Sequence, residues 1–155
     1  MRLEALEREP QAFSSSAEDH RRTTVEAAAA RIGSPEPGSF LLGAFHDGEL
    51  AGTAGFYREQ ELKSRHKGRV WGVYVTEACR GRGMGRALMG SLIDRARACR
   101  GLEQIILTVA TEQTAALRLY ESLGFQKFGR APRALCVNER YLDEDYLVMM
   151  VMTVS

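Results

Sequence analysis

The sequence lacks any strong excess of charge and any long apolar segment. Its 155 residues include 21 basic and 20 acidic side chains, a formal net charge of +1. The overall charge therefore gives no support for binding to nucleic acid. No apolar run approaches the roughly 18 residues that cross a membrane. The opening residues MRLEALEREP lack the apolar core of a signal peptide. We expect neither nucleic acid nor a membrane as a partner.

Cysteine is also scarce. The 3 cysteines, Cys79, Cys99 and Cys136, are odd in number and widely spaced, which fits neither a disulfide framework nor a metal site. A reducing, cytoplasmic compartment is the simplest interpretation. Neither Cys79 nor Cys136 has a sequence signal for a histidine partner, so we expect both to be buried structural thiols rather than nucleophiles.

The chain does contain enough apolar material for one core. Hydrophobic residues make up 45% and charged residues 26%, an ordinary mixture for a soluble protein. The length suits about one domain, and the sequence shows no internal repeat. We expect residues 1–155 to form a single domain.

Helix and strand patterns alternate along the chain. Helices are predicted in RLEALEREPQAF, ending near Pro10; in SAEDHRRTTVEAAAARI, capped by Ser15 or Ser16; from the glycine-rich loop to about Arg100; and in QTAALRLYESL, stopped by Gly124. Strands are predicted in a hairpin over 39–57 around Asp47-Gly48, over 69–75, over 104–109 (buried on both faces), in FQKFGR and in YLVMMVMTV. This order predicts one α/β fold with a mixed sheet flanked by helices.

A loop rich in glycine and arginine, CRGRGMGR, separates a predicted strand from a predicted helix. Such a loop presents backbone N–H groups at the positive end of the helix, and glycine lets a ligand approach closely. Gly81, Gly83 and Gly85 exceed what a tight turn requires. Arg82 and Arg86 would oppose the helix dipole if they were merely solvated. Together these residues favour a phosphate or pyrophosphate ligand.

The two commonest nucleotide motifs do not fit this loop. A P-loop ends in Gly-Lys-Ser/Thr, which the chain lacks. The dinucleotide motif would place its third glycine at Arg86, and no suitable acidic residue closes a strand about 20 residues later. A nucleotide-binding protein is therefore the least favoured hypothesis.

Two segments match a known family. Arg80-Gly81-Arg82-Gly83-Met84-Gly85 has the form R-x-x-G-x-G and resembles the acetyl-CoA loop of the GNAT acetyltransferase superfamily. QTAALRLYESLGF, residues 113–125, is similar to the later motif N-x-x-A-x-x-L-Y-x-x-x-G-F, with Gln113 in place of the asparagine. The two motifs occur in the family's order. The resemblance implies the acyl-CoA N-acyltransferase fold and an N-acetyltransferase with acetyl-CoA as cosubstrate and no metal.

The beginning of the chain departs from the family. RLEALEREPQAF resembles the later part of the family's first helix, so the strand that normally precedes that helix is missing. Either the chain lacks that strand or the start was placed late. The strand hairpin at 39–57 would then begin the sheet with an exposed edge.

The resemblance also implies a cofactor site. The strand carrying Val73 and Val75 should splay from the strand over 106–109, a divergence that a bulge commonly begins. The pantetheine arm would bind in the gap, and the Val73 N–H would stabilise the oxyanion. Backbone N–H groups from Arg80 or Arg82 through Arg86 would cradle the pyrophosphate. The implied cofactor-binding residues are Val73, Tyr74, Val75, Arg80, Gly81, Arg82, Gly83, Met84, Gly85, Arg86, Gln113, Ala116 and Tyr120.

Proton transfers need further groups. Tyr120 resembles the family's general acid for the leaving thiolate, although its place on an apolar helix face equally suits a core aromatic. A lysine-like amine has a pKa near 10.4, so a base or a water relay must deprotonate it. Arg69 occupies the region where some relatives carry a glutamate. His66 is the candidate base, with Glu59 or Glu61 as alternatives, and a solvated histidine is the competing interpretation.

The acceptor is left open by the family. A small-molecule amine is preferred, because the net charge is near zero and no charged tail exists for docking a protein. The N-terminal helices and the segment 130–145 should build the acceptor pocket. Within that segment, the run 143–145 either attracts a cationic amine or forms a solvated turn. Trp71 either lines the pocket or fills the core.

Other functions and assemblies remain open. The alternatives to a small-molecule enzyme are a non-catalytic acyl-CoA-binding module or sensor and an acetyltransferase for protein N-termini or lysines. A homodimer is a common assembly in the family, although the sequence shows no interface.

Overall fold

The computed structural model describes residues 1–13, 16–33 and 37–151. The helices found there are α1 (Arg2–Arg8), α2 (Ala17–Arg21), α3 (Val25–Gly33), α4 (Met84–Arg97) and α5 (Thr114–Ser122), with short 3-10 helices over Pro10–Ala12 and Glu77–Cys79. The strands are β1 (Phe40–His46), β2 (Glu49–Arg58), β3 (Lys67–Val75), β4 (Gln104–Ala110), β5 (Gln126–Val137) and β6 (Arg140–Met150).

The strands form one sheet in the order β1-β2-β3-β4-β6-β5. β3 and β4 are parallel, and the other neighbouring pairs are antiparallel. Helix α4 makes the crossover that a parallel pair needs. Because β3 and β4 run the same way, their carboxyl ends meet at one edge of the sheet, where α4 and α5 begin. The predicted mixed sheet is confirmed.

The two faces of the sheet carry separate apolar clusters. On one face, here called the α4 face, buried residues of α4 and α5 pack against the sheet around Phe56, Leu107 and Leu147. On the other, the α1 face, Ala5, Leu6 and Phe13 pack against Tyr74 of β3. The N-terminal segment therefore covers the sheet beside the carboxyl end of β3.

The predicted second helix is wrong in one respect, because the structure divides it in two. The Ser16 hydroxyl accepts a hydrogen bond from the Asp19 N–H at 3.0 Å and caps α2. The Thr24 hydroxyl accepts from the Ala27 N–H at 3.1 Å and begins α3 afresh. Each helix thus has its own capping side chain. The alternative cap, Ser15, lies outside the described residues.

The last hairpin is longer than the sequence pattern indicated. β5 begins at Gln126, one residue into FQKFGR, and continues past that segment through Pro132 with an irregular register between Ala131 and Leu135. Asn138 and Glu139 have φ values of 51° and 64° and make the turn into β6. The run 143–145 therefore lies within a strand, and its interpretation as a solvated turn is wrong. The end of the predicted strand YLVMMVMTV lies outside the described residues.

The first hairpin agrees with its prediction. Asp47 and Gly48, with φ values of 50° and 80°, connect β1 to β2. Among residues 1–13, 16–33 and 37–39, no strand precedes β1. One edge of β1 therefore has no neighbour within the described sheet.

Candidate active site

The parallel strands β3 and β4 separate after their first three residues. They pair only where Lys67, Gly68 and Arg69 face residues 104–106. On the other side of β3, Thr53 pairs with Tyr74 and Gly55 with Trp71, so β3 has one residue more than β2 between these pairs. This is the geometry of a β-bulge. The expected bulge and the expected divergence are both confirmed.

The divergence leaves a gap at the carboxyl end of β3. Val73 and Val75 pack against the α4-face cluster, which also contains Val109 and Tyr120. The Tyr74 side chain lies on the opposite, α1 face. The structure therefore places Val73, Val75 and Tyr120 on the same face of the sheet. Backbone groups of β3 that face the gap are available to an added extended ligand.

The glycine loop needs its glycines for backbone conformation. Gly81 and Gly83 have φ values of 74° and 80°, which side-chain-bearing residues rarely adopt. A Cβ at either position would have open space around it. Gly83 caps α4 without a side-chain hydrogen bond, and the first turn of α4 carries no acidic residue. The first N–H groups of the helix therefore remain free to bind an anion.

Gly85 serves a different purpose, because the chain approaches other elements closely there. A Cβ at Gly85 would lie 3.5 Å from Leu119 Cδ2 and 3.9 Å from Val75 Cγ2. The start of α4 thus packs between α5 and β3. Arg86 extends toward α5, where its Nη2 donates to the Ser122 hydroxyl at 2.7 Å, and Met84 packs partly buried against the core. The side chain of Arg82 is exposed at the loop surface.

Arg80 is held by the protein itself. Its Nε donates to the Val75 carbonyl at 2.9 Å, and its Nη1 lies 2.6 Å from Glu9 Oε1. The Arg80 N–H donates to the Glu77 carbonyl at 3.2 Å. Arg80 therefore fastens the glycine loop to β3 and to the end of α1. Of the two predicted starts of the anion cradle, Arg82 fits this geometry and Arg80 does not.

Tyr120 is both a core aromatic and a protonated phenol. Its ring is 7% exposed and meets the edge of Phe125 with centroids 6.1 Å apart. Burial raises the pKa of Tyr120 to about 12. The hydroxyl thus keeps its proton at neutral pH and is able to donate it. The two interpretations offered by the sequence are compatible in this structure.

The later motif begins at the carboxyl end of β4. Gln113 is half-buried at the start of α5, and its N–H donates to the Ala110 carbonyl at 2.9 Å. The Gln113 side chain makes no capping hydrogen bond to α5. Ala116, one turn further, packs partly buried against the core. Both residues lie at the edge of the sheet where the gap opens.

His66 is not brought to this site. Its carbonyl accepts from the N–H groups of Glu103 and Gln104 at 2.7 and 3.1 Å, where β3 and β4 begin. An extended strand from residue 66 to residue 73 spans about 23 Å. Glu59 is bound to Arg69 at 3.0 Å near the same end. Glu61 lies in the turn before β3. These residues are too far from the gap to deprotonate an amine there.

The acidic run of β6 has a structural member. Asp145 is buried and accepts from Arg130 Nε at 2.7 Å, with Lys127 Nζ at 3.3 Å. The hydrogen bond from Arg130 holds the pKa of Asp145 below its usual range. Glu144 pairs with Ala110, and burial raises its pKa. Asp145 ties β5 to β6 and is not a free base.

A cavity of about 450 Å³ separates the N-terminal segment from the last hairpin. Its lining residues are Pro10, Gln11, Glu112, Val137, Asn138, Arg140 and Leu142. All of these except Glu112 come from the two regions that the sequence predicted for the acceptor pocket. Trp71 is 41% exposed and does not fill the core. A second cavity of about 520 Å³ lies between β1 and the start of α4, and Arg82, Gly83 and Met84 of the glycine loop are among its lining residues.

One residue beside the bulge was not expected from the sequence. Arg2 Nη1 is buried without a hydrogen-bond partner among the described residues. It lies 3.7 Å from the position that a Cβ of Gly72 would occupy. An arginine in the first turn of an amphipathic helix normally suggests a solvated side chain, so the sequence held no signal for this placement.

Three further observations concern the cysteines, metals and membranes. Cys79 is buried as expected, whereas Cys136 is exposed, because its strand lies at the edge of the sheet. The expectation that Cys136 is buried is wrong. Residues 1–13, 16–33 and 37–151 contain no cluster of histidine, cysteine and acidic side chains suited to a metal. Over the same ranges, no helix has the length and apolarity to cross a membrane.

Comparison with known proteins gives consistent matches. The sequence profile of the acetyltransferase (GNAT) family matches residues 3–125. The L-methionine sulfoximine/L-methionine sulfone acetyltransferase of Salmonella typhimurium is 34% identical over 79 residues, 51% of this chain and 46% of that protein. The N-alpha-acetyltransferase RimI of Mycobacterium tuberculosis is 39% identical over 93 residues, 60% of this chain and 56% of that protein. The chain thus matches about half the length of these curated relatives.

Solved structures share the fold. A GNAT-family acetyltransferase from Streptococcus pneumoniae superposes with a TM-score of 0.82 and 24% identity, covering 95% of this chain and 89% of that one. The yncA protein of Salmonella typhimurium, solved with its cofactor acetyl-CoA, gives a TM-score of 0.70 and 24% identity over 92% of this chain and 78% of that one.

Proposed function

The chain belongs to the acetyltransferase (GNAT) family, and we propose that it transfers the acetyl group of acetyl-CoA to a primary amine of a small molecule. The observation that carries this proposal is the coincidence of three features at one edge of the sheet. They are the gap between β3 and β4, the free N-terminus of α4 and the buried phenol of Tyr120.

The cofactor would lie along this edge. The N–H groups from Arg82 through Arg86 would bind the pyrophosphate, with Arg82 and Arg86 adding positive charge. The pantetheine arm would enter the gap beside Val73 and Val75, while Gln113 and Ala116 border it from α5. A structural neighbour that contains acetyl-CoA supports this choice of cofactor.

The chemistry follows from the proposed placement. The amine nitrogen attacks the thioester carbon, and the Val73 N–H stabilises the resulting oxyanion, a contribution commonly worth about 3 kcal/mol. The C–S bond then breaks, the sulfur takes a proton from Tyr120, and the phenolate regains a proton from water. A thiol normally has a pKa near 8.5, below that of this phenol, but burial of the thiolate raises its pKa too. We expect the Tyr120 hydroxyl first to donate a hydrogen bond to the thiolate sulfur and then to transfer its proton.

The amine loses its proton to water in this scheme, because His66, Glu59 and Glu61 lie at the other end of β3. The fraction of neutral amine then controls the rate. We expect kcat/KM to rise with pH toward the pKa of the acceptor. A plateau near pH 6.5 would instead implicate a histidine.

A small-molecule acceptor has the stronger support. The first relative described above acts, by its name, on derivatives of methionine, and the cavity beside residues 137–142 is of small-molecule size. The match to the RimI relative makes a protein N-terminus the alternative acceptor. The cytoplasmic location, the single domain and a homodimer remain predictions.

Release of free thiol from acetyl-CoA tests the proposal. Purified protein is assayed with amino acids, polyamines, aminoglycosides and short peptides with free N-termini. Amine-dependent thiol release with a small molecule would support it. Release only with peptides would select the protein acceptor. Tight acetyl-CoA binding without turnover on any amine would leave a non-catalytic acyl-CoA-binding module.

A further inference from the structure

Arg2 is a cation without an ion-pair partner among residues 1–13, 16–33 and 37–151. Its Nη1 is fully buried and has no hydrogen-bond acceptor within the described part of the chain. The guanidinium lies 4.7 Å from the centroid of the Phe13 ring. That contact supplies some cation–π stabilisation. It satisfies none of the N–H donors, and a buried donor left unpaired is destabilising.

The carboxylates nearest in the chain are engaged elsewhere. Glu4 accepts from the Tyr74 hydroxyl at 3.2 Å. Glu7 pairs with Arg21. Burial lowers the pKa of Arg2, and no anionic neighbour offsets the effect. An arginine normally remains protonated even so. Arg2 therefore carries a positive charge that the described residues do not neutralise.

The position of Arg2 relates this charge to the proposed chemistry. Its Nη1 lies 3.7 Å from where a Cβ of Gly72 would be. Gly72, with φ of 61°, is in the β3 bulge and directly precedes Val73. Standard bond lengths then place Nη1 within about 7 Å of the Val73 nitrogen.

We propose that Arg2 binds a carboxylate of the acceptor, so that the substrate is an amine carrying a carboxylate close to its nitrogen, such as an α-amino acid. This rests on the proposed acetyl transfer and specifies its acceptor. In an α-amino acid a single carbon separates the amine from the carboxylate. The amine reaches the thioester carbon beside Val73 while the carboxylate forms a charge-assisted hydrogen bond with Arg2. The new bond is N–C, the broken bond is C–S, and the proton lost by the nitrogen balances the one gained by the thiolate.

The test compares acceptors that differ only in the carboxylate. L-Methionine, L-methioninamide and 3-(methylthio)propylamine share a side chain, and the same sets are made for leucine, phenylalanine and glutamate. The amide has the more acidic ammonium group, so the comparison uses kcat/KM for the neutral amine, and we expect the best amino acid to exceed its amide at least tenfold. Arg2→Gln should remove that preference by raising KM for the acid and should leave the amide unchanged. Arg2→Lys should retain part of the preference, because the charge is kept.

Arg22→Gln is the matched control, because Arg22 is an exposed arginine paired with Glu18 on α2. Arg22→Gln should change kcat/KM for neither the acid nor the amide. The melting temperature of Arg2→Gln should equal or exceed that of the wild type, because an unpaired buried charge is lost. Equal use of acid and amide by the wild type would overturn the proposal. An equal fall in kcat/KM for the acid and for the amide in a folded Arg2→Gln variant would overturn it too.

A binding measurement separates this proposal from the proposed function. If no amine is acetylated, the proposed acetyl transfer is refuted. The role of Arg2 is then tested by calorimetry, which measures the binding of N-acetyl-L-methionine and of its amide to the CoA-saturated protein. Tighter binding of the acid that Arg2→Gln abolishes would support a carboxylate site. Equal binding of the two, or no binding of either, would refute it.

Discussion

Replacing Tyr120 with phenylalanine removes one hydroxyl from the proposed site and leaves the packing in place. General acids commonly contribute a factor of 10² to 10⁴. We expect kcat to fall about 100-fold or more, equivalent to about 2.7 kcal/mol of activation free energy. The acetyl-CoA dissociation constant should change by less than about threefold, since the loop and the gap hold the cofactor. Thiol release under saturating substrate measures kcat, and calorimetry measures binding.

The packing of Tyr120 separates this effect from a loss of stability. Its ring meets Phe125 edge-on, and phenylalanine keeps that contact. The unfolding free energy of Tyr120→Phe should therefore stay within about 1 kcal/mol of the wild type, whereas Tyr120→Ala should cost about 3–5 kcal/mol. Tyr141→Phe, at an exposed tyrosine of β6, is the control and should change neither quantity. Full turnover by a stable Tyr120→Phe variant would refute the role of the phenol.

Three other expectations follow from the structure. Burial raises the pKa of Tyr120 from about 10 to about 12. The unfolding free energy should therefore fall by about 3 kcal/mol as the pH rises from 10 to 12. Urea titrations of the wild type should show this fall, and those of Tyr120→Phe should not. Gly90 is helical with open space around its Cβ position, whereas Gly83 has a φ of 80°. Gly90→Ala should therefore stabilise the fold by about 0.5–1 kcal/mol, and Gly83→Ala should destabilise it by about 1–2 kcal/mol. A maleimide should label exposed Cys136 rapidly, while buried Cys79 should react only after unfolding; fast labelling of Cys79 would contradict its burial.

Short-range patterns predicted most of the elements. The Asp47-Gly48 turn, the helix stop at Gly124 and the apolar strand β4 depend on local conformation or periodicity, and the structure has all three. The division between α2 and α3 depends on whether Thr24 caps a new helix or the first helix continues. Hydrophobic periodicity contains no information about that choice. The length of β5 likewise depends on its pairing with β6, because strand propensity alone gives no reason to continue through Pro132.

The site was predictable where sequence order implies proximity. The glycine loop and Tyr120 follow two parallel strands, so topology brings them to one edge. The prediction that His66 is the base was wrong, because His66 lies at the amino end of β3 and the candidate site lies at the carboxyl end of that strand. Arg2 was missed because its contact with the bulge is long-range.

The measurement that tests the central claim most directly is a thermal shift with acetyl-CoA, CoA and ADP at equal, near-millimolar concentrations. A ligand at a hundredfold excess over its dissociation constant stabilises the folded state by about 2.7 kcal/mol. If the pyrophosphate binds the glycine loop and the pantetheine arm fills the gap between β3 and β4, acetyl-CoA should raise the melting temperature well above the value with ADP. Equal shifts with acetyl-CoA and ADP would show that the gap binds nothing, and no shift with any of the three would contradict the cofactor site altogether.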